Sequence, residues 1–143
     1  MVKPDEIMAM LGHKLKRGGY HSDDARAFVR AGMPAKVLDT LSHALHVSVR
    51  EIQIIAGIPS ATAARKRASN ETLRPAFSDR LYRLAAVFTL AKHVLEDGDR
   101  AAQWFREPNR ALHGERPLDL LDTEIGAREV ELVLHRLEHG IYS

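Results

Sequence analysis

The chain has 143 residues, enough for one ordinary domain or two very small ones. Hydrophobic residues make up 45% and charged residues 28%, a globular composition, and no apolar run approaches the length of a membrane span. There is no cysteine, which excludes a disulfide framework and a thiolate-bound metal. The start Met1-Val2-Lys3-Pro4-Asp5-Glu6 lacks the basic-then-apolar order of a secretion signal, so a cytoplasmic location is expected.

The net charge of +2 hides an asymmetry. Residues 1–70 hold 11 Lys and Arg against 6 Asp and Glu, a balance of +5, whereas residues 71–143 hold 10 against 13, a balance of −3. A basic front half suits phosphates and a mildly acidic back half suits a protein partner. The two stretches are taken as two regions.

In chain order almost everything reads as helix. Pro4 suits a first helical position, followed by Ile7, Met10 and Leu11 up to Gly12. A basic loop, Lys14-Leu15-Lys16-Arg17-Gly18-Gly19, comes next. Ser22 is expected to cap a helix carrying Ala25, Phe28 and Val29 to Gly32, and Pro34 to open another bearing Val37, Leu38, Leu41 and Leu45. Ser48-Val49-Arg50-Glu51 has capping-box spacing before Ile52 and Ile55. Ser60 is expected to cap a helix from Ala61 to Ala68, and residues 70–74 form a joint. The longest helix is expected from about Ala76 to Asp97, with Phe77, Leu81, Leu84, Phe88, Ala91 and Leu95 as its seam and Gly98 as its stop. A last helix follows Asp122-Thr123, with Val130, Val133, Leu134 and Leu137 on one stripe and Gly140 just past its end. The expected fold is all-α.

Two short helices around Gly57 suggest a helix-turn-helix, with Ile52, Ala56, Ile58 and Ala63 seating the second helix on the first. Its outward residues Ser60, Thr62, Arg65, Lys66 and Arg67 supply hydroxyls and cations for phosphates and base edges, making operator DNA an expected partner. Two positions depart from the motif. Gln53 stands where a small residue is usual, and Lys66 where an apolar one is. A plain helical hairpin with a solvated Arg65-Lys66-Arg67 face is the alternative reading.

The stretch from Trp104 to Leu121 has an indole, two prolines, a glycine and a Leu-Asp-Leu-Leu run, with no helix or strand period through it. Pro108-Asn109 can launch a one-turn helix ending at Gly114, and Pro117 can launch another. Such short pieces must lean on neighbours, because helix nucleation is costly. Trp104 is the natural anchor. Arg106, Asn109 and Arg116 are the polar members available to touch a partner.

The run Trp104-Phe105, Pro108-Asn109, Ala111-Leu112, Gly114, Pro117-Leu118-Asp119-Leu120-Leu121, Thr123 and Gly126, with Val130, Leu134, Arg136-Leu137 and Gly140, resembles the toxin-binding domain of the Xre/MbcA/ParS family of antitoxins. The resemblance extends upstream through Phe77 to Ala85 and, more weakly, over residues 20–68. It implies a dimerisation and helix-turn-helix region over 1–70, a toxin-binding domain over 71–143, autoregulation of an operon, and a RES-domain toxin partner that consumes NAD. In the family the C-terminal end lies near the toxin's catalytic cleft. On that ground Ile141, Tyr142 and Ser143, with an aromatic ring and a terminal carboxylate, are expected to shield the NAD pocket, and Arg136 to join the interface.

An enzyme is not expected, and neither is a cofactor. His135 and His139, or His43 and His46, have metal-ligand spacing without a third ligand, and no nucleophile triad, phosphate loop or dinucleotide fingerprint occurs. A homodimer is expected, because helix-turn-helix proteins commonly read two half-sites, and residues 1–47 offer apolar surface for it. The competing reading is a stand-alone helix-turn-helix regulator with a ligand-sensing or adaptor back half.

Overall fold

The computed structural model describes residues 2–13, 18–19 and 21–140. The basic run 14–17 and the tail Ile141-Tyr142-Ser143 lie outside the described residues. Among the described residues eight α-helices follow one another: α1 (Pro4–Met10), α2 (Ser22–Ala31), α3 (Val37–Leu45), α4 (Val49–Ala56), α5 (Ser60–Ser69), α6 (Pro75–Leu95), α7 (Gly98–Arg106) and α8 (Glu124–Glu138). Two 3-10 helices, Arg110–Leu112 and Pro117–Asp122, lie between α7 and α8. There is no strand among the described residues, so the all-α expectation holds.

The organising element is α6. Its 21 residues span roughly 31 Å at about 1.5 Å each. The expected seam is inward, but Ala85, Val87, Thr89 and Leu90 are buried as well, so the middle of the helix is covered on all sides. α1, α2 and α4 pack on it from the front half, and α7, α8 and the second 3-10 helix from the back half. One apolar core therefore runs from Ile7 and Leu11 through Leu38, Leu41 and Ile52 to Leu118, Val130 and Leu134. Ile7 of α1 and Leu11, its C-cap, are spent in this core and Met8 is buried, while Phe28 and Val29 of α2 stay half-buried.

The capping box at Ser48 forms as its spacing implies: Ser48 Oγ accepts from Glu51 N at 3.1 Å and Glu51 Oε2 accepts from Ser48 N at 3.3 Å. Other boundaries differ. His21, not Ser22, caps α2, with Asp24 Oδ2 accepting its backbone N–H at 2.8 Å. Pro34 does not open α3. It pairs with Thr72 in an isolated bridge, because residues 33–35 are stitched to the joint by Ala35 N to Glu71 O at 2.9 Å and Leu73 N to Met33 O at 2.7 Å. The buried Ser78 hydroxyl accepts from Met33 N at 2.8 Å and fastens that joint to α6.

Gly98 does not stop α6. The left-handed cap is Glu96 (φ +58°), and Asp97 then accepts from Arg100 N to start α7, with Gly98 as its first residue. Trp104, Phe105 and Arg106 consequently close a helix rather than open an irregular segment. The two short helices after Pro108 and at Pro117 form as expected, both of 3-10 type.

Candidate functional site

α4, Gly57 and α5 build the helix-turn-helix. Gly57 holds φ +72°, and a Cβ there would stand 2.8 Å from Arg80 Nη1, the same atom that donates to Ala56 O at 3.0 Å. The turn is thus left-handed and locked to α6 by one guanidinium. Ile52, Ala56, Ile58 and Ala63 are buried as a helix-turn-helix requires. The two departures are accommodated by side-chain chemistry. Gln53 is buried, and its Nε2 donates to Ser60 Oγ at 2.8 Å, which ties α4 to the first residue of α5. Ser60 therefore lies inside α5 and does not cap it; the N-cap is Pro59. Lys66 is largely covered, its ammonium 3.7 Å from Glu71, so its methylene stem stands where an apolar residue was expected.

The five predicted DNA contacts do not share one environment. Arg67 points back to α3, where Nη2 and Nε meet Asp39 at 2.6 and 3.3 Å, a bond that also raises its pKa above the ordinary arginine value. Thr62, Arg65 and Lys66 line a recess of about 220 Å³ completed by Pro59, Leu73, Arg74 and Phe77. Arg65 is exposed and makes no ion pair among the described residues.

In the back half most of the predicted contact residues are engaged internally. Trp104 is half-buried and sits edge-on to Phe105, with ring centroids 5.2 Å apart. Arg106 Nε donates to Ala102 O of its own helix at 3.2 Å. Asn109 Oδ1 accepts from Ala111 N at 2.9 Å and caps the first 3-10 helix. Arg116 forks onto Asp119 at 3.0 and 2.7 Å and reaches Glu51 at 3.1 Å, so one side chain joins the Pro117 helix to the α4 capping box. The hydrogen bond it donates to the Asp119 carboxylate is the first cause of its raised pKa, and Glu51 adds to it. Arg136 alone of this group is exposed on a helix face without an ion pair among the described residues. Ile141, Tyr142 and Ser143 lie outside the described residues.

Residues 24–86 match the antitoxin Xre-like helix-turn-helix domain, and residues 90–140 match the antitoxin Xre/MbcA/ParS C-terminal toxin-binding domain. A protein named antitoxin Xre from Yersinia enterocolitica is 32% identical over 116 residues, covering 80% of this chain and 78% of its own. The chain belongs to the Xre antitoxin family. An antitoxin Xre from Photorhabdus laumondii is also 32% identical, over 118 residues, with 82% of this chain and 80% of its own covered. A Sphingobium protein named Prs ADP-ribosylating antitoxin is 27% identical over 129 residues, with 84% and 81% covered. The two matched domains meet inside α6, where the helix is buried from both sides.

The family's toxin-binding domain carries a surface that the sequence did not reveal. On α8, Ile125 is 73% exposed and Leu132 57%, far from the buried Val130, Val133 and Leu134. Ile125, Glu129, Leu132 and Arg136 recur at spacings of four, three and four, so they form one outward stripe opposite the core stripe. The signal was available: two large apolar residues seven apart, both off the main stripe. Ile54 of α4, 60% exposed, is the other exposed large apolar residue among the described residues. No described helix is long and apolar enough to cross a membrane.

Proposed function

We propose that this chain neutralises a RES-type, NAD-consuming toxin, and that its helix-turn-helix binds operator DNA as a homodimer and represses its own operon in the cytoplasm. The observation that carries the toxin reading is the exposed Ile125–Leu132–Arg136 stripe on the toxin-binding domain. Two large apolar residues aligned on one exposed helix face give a partner apolar surface to cover. α8 leads directly to Ile141-Tyr142-Ser143, which we assign to shielding the toxin's NAD pocket. Tyr142 offers a flat amphipathic ring where the NAD base would stack. The name of the Sphingobium relative includes ADP-ribosylation, a chemistry that takes NAD as donor, and this supports an NAD-consuming partner. Trp104, Asn109 and Arg116 hold the two short helices in place, and Arg106 and Arg136 flank the contact. The chain itself performs no catalysis in this reading.

Co-expression with a RES-domain toxin tests the proposal, with growth and cellular NAD as readouts. The full chain restores both. A chain ending at Gly140 still co-purifies with the toxin but lets NAD fall. Full protection by the truncated chain refutes the shielding role. Failure of the full chain to protect refutes the partner.

A further inference from the structure

We propose that α5 makes its hydrogen-bonded base contact through one side chain, Arg65, and so specifies a single guanine in each half-site. This rests on the DNA-binding role proposed above. The buried residue of α5 is Ala63, which fixes the direction of the core. At 100° per residue, positions 61 and 65 point directly away from it, with 68 and 69 beside them. These are Ala61, Arg65, Ala68 and Ser69, and all four are exposed.

The polar residues on the flanks of α5 are already held. Ser60 is bonded to Gln53, Lys66 faces Glu71, and Arg67 is clamped by Asp39. Thr62 is half-buried in the recess beside Leu73 and Phe77. Arg65 is therefore the one long polar side chain on the outward line: alanine offers no hydrogen-bonding group to a base edge, and Ser69 is a short hydroxyl at the last residue of α5, away from the N-terminal part of the helix that enters a groove.

The chemistry then narrows the ligand. A guanidinium donates two parallel bonds to guanine O6 and N7 in the major groove. Reading adenine calls for Asn or Gln, and reading cytosine for Asp or Glu, and the outward line of α5 has none of these. At the remaining positions, backbone contacts fix register, and any preference comes from duplex shape or from alanine against a thymine methyl, without a further hydrogen bond to a base.

The experiment begins with the full chain and a pool of random duplexes. The selected site is resynthesised with 7-deazaguanine, which lacks the N7 acceptor, at the preferred guanine. The wild-type chain should lose about tenfold in affinity for the modified duplex. Arg65→Ala should bind the unmodified site about tenfold more weakly, and equally well with either base. Arg65 is exposed, and circular dichroism confirms that the variant is folded. Equal losses from the modified base in the wild type and in Arg65→Ala overturn the assignment of Arg65, while DNA binding stands. Selection of sites with no preferred guanine overturns it as well. Absence of binding to any duplex at low salt overturns the DNA-binding role itself.

Discussion

Replacing Gly126 by alanine pits helix propensity against packing, and the two predict opposite signs. Gly126 is the third residue of α8, buried, and its N–H donates to the Thr123 cap at 3.0 Å. An alanine in a helix is favoured over glycine by up to about 1 kcal/mol. A Cβ at this position would stand 1.9 Å from Leu120 O and 2.9 Å from the carbonyl carbon of the same residue. Backbone cannot rotate out of the way as a side-chain tip can. The start of α8 must therefore lift from the Pro117–Asp122 helix, loosening Leu118, Leu121 and Val130. Overpacking of this kind costs about 1–3 kcal/mol, and a backbone clash belongs at the upper end. The net expectation is a loss of about 2 kcal/mol. With a urea slope of about 1–3 kcal/mol per molar for a chain this size, the unfolding midpoint should fall by about 1 M. Gly98→Ala is the matched control: it is also a first-turn helical glycine, and the nearest atom to its added Cβ is Lys92 Cδ at 3.8 Å, an ordinary contact. That variant should be neutral or slightly stabilised. A Gly126→Ala chain as stable as the wild type would refute the steric account of this glycine.

Ile125→Glu and Leu132→Glu should leave the unfolding midpoint within about 0.5 kcal/mol of wild type, because both sites are exposed, and should weaken toxin binding at least tenfold by calorimetry. Unchanged affinity in both would remove the α8 stripe from the interface. Arg116→Met should cost about 1 kcal/mol in urea unfolding, a modest figure because the Arg116 side chain is 32% exposed; a midpoint identical to wild type would show the fork to be energetically idle. Tyr82 is partly buried, and burial pushes its phenol above the ordinary value of 10.0. The neutral ring is the native form, so its contribution is fully present below the unfolded pKa and is lost as pH rises through the folded one. Between pH 9 and 11 the wild type should lose more stability than Tyr82→Phe, and equal losses would count against the shift.

Local chemistry made much of this fold legible before any coordinates. The Ser48–Glu51 box, the Asn109 and Thr123 caps and the α3 and α8 core stripes depend on residues two to four apart, which a sequence displays directly. The misread boundaries depend on contacts between distant residues or on rare backbone. Pro34 was assigned to a helix because its partner Thr72 is 38 positions away. α7 was missed because Glu96, a non-glycine, takes the left-handed cap, leaving Gly98 to look like a stop. The candidate surfaces follow the same division. That Ser60 and Arg67 are hydrogen-bonded within the chain, and that Arg116 reaches beyond its neighbour Asp119 to α4, depends on Gln53, Asp39 and Glu51, of which Asp39 and Glu51 lie many residues away. Their side chains alone look free.

The shared core bears on how the two activities relate. Two autonomous modules joined by a linker could bind DNA and toxin without influence on each other. Here α6 is the inner wall of both matched domains, Arg80 fastens it to the helix-turn-helix turn, and Arg83 donates from it to Leu121 O at 3.3 Å. Arg116 closes the circuit by binding Glu51, the residue that caps α4. Displacement of the Pro117–Asp122 helix by a partner would therefore be felt at the start of α4 through rigid elements rather than through a flexible joint. Coupling in that direction must be matched by coupling in the other, since linkage between two binding equilibria is reciprocal. Operator occupancy and toxin affinity should accordingly shift together in the wild type, and Arg116→Met should reduce both shifts by the same factor.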